Sequence, residues 1–203
     1  IPIEADNKNV RQILEDRNGR IFLNTGFQLY AYHPREEKIT CVLPEISPGN
    51  AFYAQCHIAP DNNLWVMTST GLRCYDPSTL QLKESVALSG YPYYSYLHNN
   101  ELWITGNHTL SIFDTRTRSF KPLPQPIARN TTLCNADIDY IHPYGNNGLL
   151  LNTARHGMFY YNPGTGSVTR QDENGFPFEM PRFRISRMFT DSQKNLWIGS
   201  VDQ

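Results

Sequence analysis

The sequence repeats one short apolar segment five times, and this repeat constrains the fold more than any other feature. Each copy centres on a large apolar residue between two aliphatic neighbours. Successive centres lie 38 to 47 residues apart, the length of one supersecondary unit in a repeat protein. The five centres, called anchors below, are Phe22, Trp65, Trp103, Leu150 and Trp197.

Further columns keep register with the anchors, which indicates that the whole unit repeats. Ten residues after the first three anchors, and eleven after the fourth, stand Tyr32, Tyr75, Phe113 and Tyr161. Nine residues before the five anchors stand Ile13, Cys56, Tyr94, Ile141 and Met188. Both columns are therefore expected to face a core.

Turn-forming residues divide each unit into strands. Asp16-Arg17-Asn18-Gly19 precedes the first anchor, and His33-Pro34 follows its second apolar segment. Asn and Gly supply the left-handed conformations of tight hairpins, and Pro suits the start of a turn. Each unit thus predicts four antiparallel strands, A to D, joined by an A–B turn, a B–C loop and a C–D turn.

Four-stranded sheets repeated radially form a β-propeller. We predict an all-β protein, with residues 1–203 forming a single partial propeller domain. It should contain about four complete blades and the start of a fifth, as a fragment of a larger propeller. The repeat units are approximately 10–49, 50–89, 90–135, 136–182 and 183–203.

Charge and hydropathy exclude several partners. The 18 basic and 19 acidic residues give a net charge of −1, which provides no electrostatic footprint for nucleic acid or for an anionic membrane. No apolar run is long enough to span a bilayer. The segment is therefore expected to contact neither nucleic acid nor membrane directly.

The four cysteines are predicted to be free thiols. Cys56 and Cys74 fall on strands A and C of one blade, with strand B between them. Two strand spacings, about 9.6 Å, exceed the reach of a disulfide. Cys41 and Cys134 lie in other units.

The anchor segments resemble a known family. Asn63-Leu64-Trp65-Val66, followed by Gly71-Leu72 and Tyr75-Asp76-Pro77, is similar to the two-component regulator propeller repeat. Asp191 and the segment Asn195-Leu196-Trp197-Ile198-Gly199 match the same pattern. The resemblance covers almost the whole chain.

The resemblance implies the periplasmic sensor region of a hybrid two-component histidine kinase. In this family, propellers precede a β-sandwich module, a membrane helix, a kinase and a transcriptional output domain. Such receptors typically detect oligosaccharides and switch on the genes for glycan use. The implied partners are an oligosaccharide or other small extracellular ligand, and the remaining blades and sensor domains of the parent chain. Whether the protein forms a homodimer is left open, and this segment is not expected to be an enzyme.

Candidate ligand residues come from the blade end that carries the B–C loops and the D–A connections, because binding residues concentrate in loops. Solvated loops, packing between blades and rim decoration are the competing interpretations of these residues. The candidates are Arg155 and His156 in the fourth B–C loop, Tyr93, Tyr94 and Tyr96 at strand A of the third unit, and Arg182 and Arg184 in the last D–A connection.

Two other function classes stay open. A propeller lyase or hydrolase would need acid–base partners, and Asp137, Asp139 and His142 are the best available set. On a strand, His142 faces the side opposite the two aspartates, which counts against cooperation. A protein-interaction scaffold is the other alternative. The six histidines show no metal-ligand spacing, and Gly164-Thr165-Gly166 lacks the third glycine of a dinucleotide cradle, so no metal or cofactor is predicted.

Overall fold

The computed structural model describes residues 10–43, 55–180 and 185–200. These residues form eighteen strands and two four-residue helices. The elements are β1 (Gln12–Glu15), β2 (Ile21–Asn24), β3 (Leu29–His33), β4 (Lys38–Leu43), β5 (Gln55–Ile58), β6 (Leu64–Thr68), β7 (Gly71–Tyr75), β8 (Leu82–Ala87), β9 (Pro92–His98), β10 (Glu101–Gly106), β11 (Thr109–Asp114), β12 (Ser119–Lys121), α1 (Gln125–Ala128), α2 (Thr131–Cys134), β13 (Ile138–Tyr144), β14 (Gly148–Thr153), β15 (Gly157–Asn162), β16 (Ser167–Arg170), β17 (Ile185–Thr190) and β18 (Leu196–Ser200).

The strands pair in chain order within five antiparallel sheets. Strands β1–β4, β5–β8, β9–β12 and β13–β16 form four complete blades, and β17–β18 form the described part of the fifth. Every anchor lies in the second strand of its blade. The predicted all-β propeller of four-stranded antiparallel blades is confirmed.

The anchors pack across the seams between blades. The ring of Trp65 in blade two meets Phe113 of blade three edge-on, with the centroids 5.2 Å apart. The ring of Trp103 in blade three lies 6.3 Å from that of Tyr161 in blade four. Trp65 and Trp103 thus each pack on the strand-C aromatic of the next blade. A buried aromatic side chain removes 150–250 Å² from water, so these contacts are a main source of stability.

Polar side chains of the first strands tie the same seams. Gln12 in blade one donates from Nε2 to the carbonyl of Cys56 (2.6 Å) and accepts from the Cys56 N–H (2.9 Å) in blade two. Gln55 in blade two accepts from the N–H of Ser95 in blade three (2.5 Å). The glutamines therefore satisfy backbone groups of the neighbouring blade that strand pairing within that blade leaves available.

Tyrosines make the corresponding bonds in the next two seams. The hydroxyl of Tyr94 donates to the carbonyl of Ile141 (3.5 Å), and that of Tyr140 donates to the carbonyl of Met188 (3.2 Å). Together, Gln12, Gln55, Tyr94 and Tyr140 are called the seam column below.

The seam column corrects the sequence alignment of blade three. Tyr94 was expected in the apolar column with Cys56, but Ser95 takes that place: Ile104 pairs with Ser95 as Val66 pairs with Cys56. The cause is the A–B turn, which has only two residues between β9 and β10 and five between β5 and β6. The shorter turn shifts strand A by one residue relative to the anchor.

Helices α1 and α2 complete the seam between blades three and four. Strand β12 has only three residues, and the chain then crosses toward β16 of blade four. Ile127 and Leu133, one from each helix, are fully buried in the cluster that contains Trp103 and Leu149. The helices thus supply apolar side chains where the outer strand of blade three ends early.

All four cysteines are free, as predicted. Cys56 and Cys74 lie on β5 and β7, and β6 separates them by pairing with both. Burial raises the pKa of the Cys56 thiol to about 12 and that of Cys74 to about 11. These two thiols are therefore protonated and unreactive at neutral pH.

We expect Leu133→Ala to lower the free energy of unfolding by about 2–5 kcal/mol, because it leaves a cavity in a buried seam. Leu82→Ala is the matched control, since Leu82 is 53% exposed and Leu133 is fully buried. Urea denaturation of both variants measures the difference. Equal effects would show that α2 does not stabilise the seam.

We also expect stability to fall between pH 6.5 and pH 4. Burial lowers the pKa of His57 to about 4, and its Nε2 lies 2.8 Å from the Ser95 hydroxyl. Within this window the unfolded chain binds more protons than the folded chain, so the free energy of unfolding decreases as the pH drops. Burial also lowers the pKa of His142, which adds in the same direction.

The change from His57 should be at most about 1.4 kcal/mol per pH unit. Urea denaturation at several pH values, repeated with His57→Gln and with the exposed control His156→Gln, measures it. His57→Gln should flatten the slope, whereas His156→Gln should keep it. An unchanged slope in His57→Gln would contradict the assignment.

Candidate functional site

The B–C loops and D–A connections meet at one end of the blades, called the upper end below. In blade four, the B–C loop turns between Thr153 and Gly157. The Thr153 hydroxyl donates to the Gly157 carbonyl (2.7 Å) and accepts from the His156 N–H (2.9 Å). Gly157 has φ of +76°, and a Cβ there would lie 2.8 Å from the Gln171 side chain. Hydrogen bonds inside the loop and the close approach of Gln171 therefore hold the turn in place.

Arg155 and His156 project from this fixed turn. Both are exposed, and neither side chain has a hydrogen bond or ion pair to another described residue. A guanidinium and an imidazole on a rigid turn can donate hydrogen bonds to hydroxyl or carboxylate groups of a ligand. The structure thus leaves the predicted pair accessible for binding.

Bulges at the start of strand A add two further residues to the upper end. Tyr93 is the extra residue between the pairs Pro92–Gly106 and Tyr94–Thr105. In blade four, Asp139 occupies the equivalent place, at the bulge in the β13–β14 ladder. A bulge bends the strand and redirects its extra side chain.

The bulges place Tyr93 and Asp139 at the same level of neighbouring blades. Their strands, β9 and β13, contact each other directly, because the first strands of successive blades lie side by side. The Tyr93 ring lies 6.2 Å from that of Tyr91. No sequence pattern marks these bulges, although they recur at one position of the unit.

Tyr94 and Tyr96 pack within the propeller. The Tyr94 ring lies 4.8 Å from that of Tyr140, and burial raises its pKa. Tyr96 packs against the cluster around Trp103, and burial raises its pKa to about 12. These positions match the alternative of packing between blades, and a ligand contact by either residue stays a prediction.

Asp137 and His142 bind different partners. The Asp137 carboxylate accepts from the His108 N–H (3.1 Å) and lies 3.3 Å from its Nδ1, which links the B–C loop of blade three to the D–A connection of blade four. His142 is buried, with Nε2 2.8 Å from the Thr190 hydroxyl of blade five. Each group thus has its own role in joining neighbouring blades.

Arg182 and Arg184 lie outside the described residues. Within residues 10–43, 55–180 and 185–200, no group of three His, Cys, Asp or Glu side chains is arranged to hold a metal ion. In the same ranges, no helix has the length and apolar character needed to cross a membrane.

Comparison with known proteins supports the fold through solved structures. Two structures of an extracellular domain from B. thetaiotaomicron, assigned as a one-component and as a hybrid two-component system, match at 22% identity with TM-scores of 0.69 and 0.71. Each alignment covers 98% of this chain and 27% of the other. The chain therefore spans about a quarter of the length of these neighbours.

Other neighbours share the same architecture at lower identity. The extracellular domain of a second B. thetaiotaomicron protein, assigned as a hybrid two-component system, matches at 16% identity and a TM-score of 0.55 over 97% of this chain and 34% of its own. The β-propeller domain of Myceliophteria thermophila Cps50 (Swd1) matches at 10% identity and a TM-score of 0.60, over 95% of this chain and 64% of its own. No family model and no curated protein matches the sequence.

Proposed function

We propose that this chain is a periplasmic ligand-sensing segment of a hybrid two-component sensor. The motif resemblance and the structural neighbours, which are extracellular domains assigned to one-component and hybrid two-component systems, support this assignment. The ligand is an oligosaccharide or a related small extracellular molecule. It binds without chemical change, and binding is relayed to a histidine kinase outside this segment that controls genes for glycan use.

The observation that carries the proposal is the composition of the upper end of blades three and four. Arg155 and His156 are exposed on a fixed turn, and Tyr93 and Asp139 lie at equivalent bulges of neighbouring strands. Donors, an acceptor and an aromatic ring are the groups that recognise the hydroxyls and apolar face of a sugar. A rigid scaffold with variable loops suits this form of recognition.

The relay begins in the seams. The His108–Asp137 contact joins the B–C loop of blade three to the connection that enters blade four. A ligand that bridges the two blades would favour one arrangement of this seam over another. Differential affinity for two arrangements is the only way in which binding can shift an equilibrium. The remaining blades and sensor domains of the parent chain, or a second copy in a homodimer, would receive this shift.

We expect Arg155→Ala and Tyr93→Ala each to weaken binding of the cognate glycan by about 1–3 kcal/mol, because each removes a direct contact. Isothermal titration calorimetry on the complete ectodomain, after a screen of glycan fragments, measures this loss. Arg116→Ala is the control, since Arg116 is exposed in the C–D turn of blade three, at the opposite end.

Unchanged affinity in both upper-end variants would remove the site assignment. Hydrolysis or elimination of the glycan by the purified ectodomain, lost in Asp139→Asn, would instead establish an enzyme. A bound ligand that is recovered unaltered, with affinity reduced only in the upper-end variants, is the result expected of a sensor.

A further inference from the structure

The A–B turns of blades four and five flank a cavity at the end of the blades opposite the upper end. Its volume is about 620 Å³, within the range of small-molecule sites. Tyr144 and Asn146 line it from blade four, and Thr190, Asp191 and Lys194 line it from blade five. This cavity is called the lower cleft below.

The A–B turns of blades four and five, which flank the lower cleft, lack a hydrogen bond that joins the equivalent turns of blades one and two. In blades one and two the A–B turns are tied, because the Arg17 N–H donates to the side-chain oxygen of Asn62 (3.2 Å). Lys194 occupies the position of Asn62, three residues before the anchor, and both have a left-handed backbone with φ near +65°. A lysine side chain donates and cannot accept, so it cannot make this bond.

Lys194 is the cation that lines the cleft, and no carboxylate of the described residues forms a direct ion pair with it. Its side chain is exposed and forms no ion pair or hydrogen bond with another described residue. The neighbouring Asp191 carboxylate accepts from the Trp197 indole (2.9 Å), the Asn195 amide (3.0 Å) and the N–H groups of Gln193 and Asn195 (2.9 Å each). These bonds hold the pKa of Asp191 below its usual range and occupy both of its oxygens.

The walls of the cleft are fixed before any ligand arrives. The Tyr144 ring packs edge-on against Tyr160, at 5.8 Å, and at a tilt against Phe178, at 5.2 Å. The Thr190 hydroxyl is held by His142 Nε2 at 2.8 Å. Because these side chains are already ordered, binding does not require them to lose further rotamer freedom.

We propose that the lower cleft is a ligand site separate from the upper end and binds a carboxylate-bearing sugar, a uronic acid. The ammonium group of Lys194 meets the carboxylate as a charge-assisted partner. The Asn146 amide, which has no hydrogen bond to another described residue, binds ring hydroxyls. Tyr144 supplies the aromatic wall for the apolar face of the sugar. A neutral hexose lacks the charged contact and binds more weakly.

Glucuronate and glucose are the probes, titrated into the isotope-labelled protein by NMR. The indole N–H of Trp197 is the reporter, since it donates to Asp191 in the wall of the cleft. The other two tryptophans, Trp65 and Trp103, are buried in distant seams. We expect glucuronate to shift the Trp197 indole resonance saturably, and glucose to bind at least ten-fold more weakly.

Lys194→Gln should weaken glucuronate binding at least ten-fold, whereas Lys194→Arg should retain most of it. Lys38→Gln is the matched control, because Lys38 is also exposed and unpaired among the described residues but lies on β4 of blade one. Asn146→Ala should also weaken glucuronate binding, and it leaves the charge of Lys194 in place.

Two outcomes would overturn the proposal. One is equal binding of glucuronate and glucose, or of glucuronate to wild type and Lys194→Gln. The other is a loss of glucuronate binding in Arg155→Ala but not in Lys194→Gln, which would place the uronate at the upper end. Neither outcome decides whether the upper end senses an oligosaccharide, so the two proposals fail separately.

Discussion

The structure depends on burial of the strand-B anchor of each blade by the following blade. A four-stranded sheet of this size cannot bury its own apolar face, so the seams carry the stability of the repeat. Phe22, Trp65, Trp103 and Leu150 are at most 2% exposed, whereas Trp197 is 62% exposed in a described sheet of only two strands. The contacts of Trp65 with Phe113 and of Trp103 with Tyr161 show that the neighbouring blade removes these anchors from water.

Because the seams provide the stability, residues at the two ends of the blades can vary from one blade to the next. The seam column uses glutamine in blades one and two and tyrosine in blades three and four, and each type satisfies a backbone group of the next blade. At the ends, the same positions carry different chemistry in different blades. Asn62 accepts a hydrogen bond from the preceding A–B turn, whereas Lys194, at the same place in its turn, lines the lower cleft.

The sequence alone was sufficient for the fold and insufficient for the site, for identifiable reasons. The anchors and their columns predicted the blades because burial imposes residue type at each repeat. The register of blade three escaped prediction, since a two-residue turn at Asn99–Asn100 shifts strand A by one residue. Helices α1 and α2 lie in a proline-rich connection, for which the sequence predicts only a loop. Tyr93 and Asp139 were named from the sequence, but their bulges and the lower cleft depend on strand pairing and on pairs of turns, which no local pattern encodes.

Strand β13 connects the two proposed sites physically. Asp139 lies near its start, at the upper end, and Tyr144 ends it in the wall of the lower cleft. The five residue steps from Asp139 to Tyr144 span roughly 17 Å at the usual strand rise. Between them, Tyr140 and His142 bind Met188 and Thr190 of blade five, which joins the strand to the seam between blades four and five. If a ligand at one end changes this seam, thermodynamic linkage requires a ligand at the other end to exert the same coupling in return. A propeller seam is therefore a suitable place for two bound ligands to influence each other.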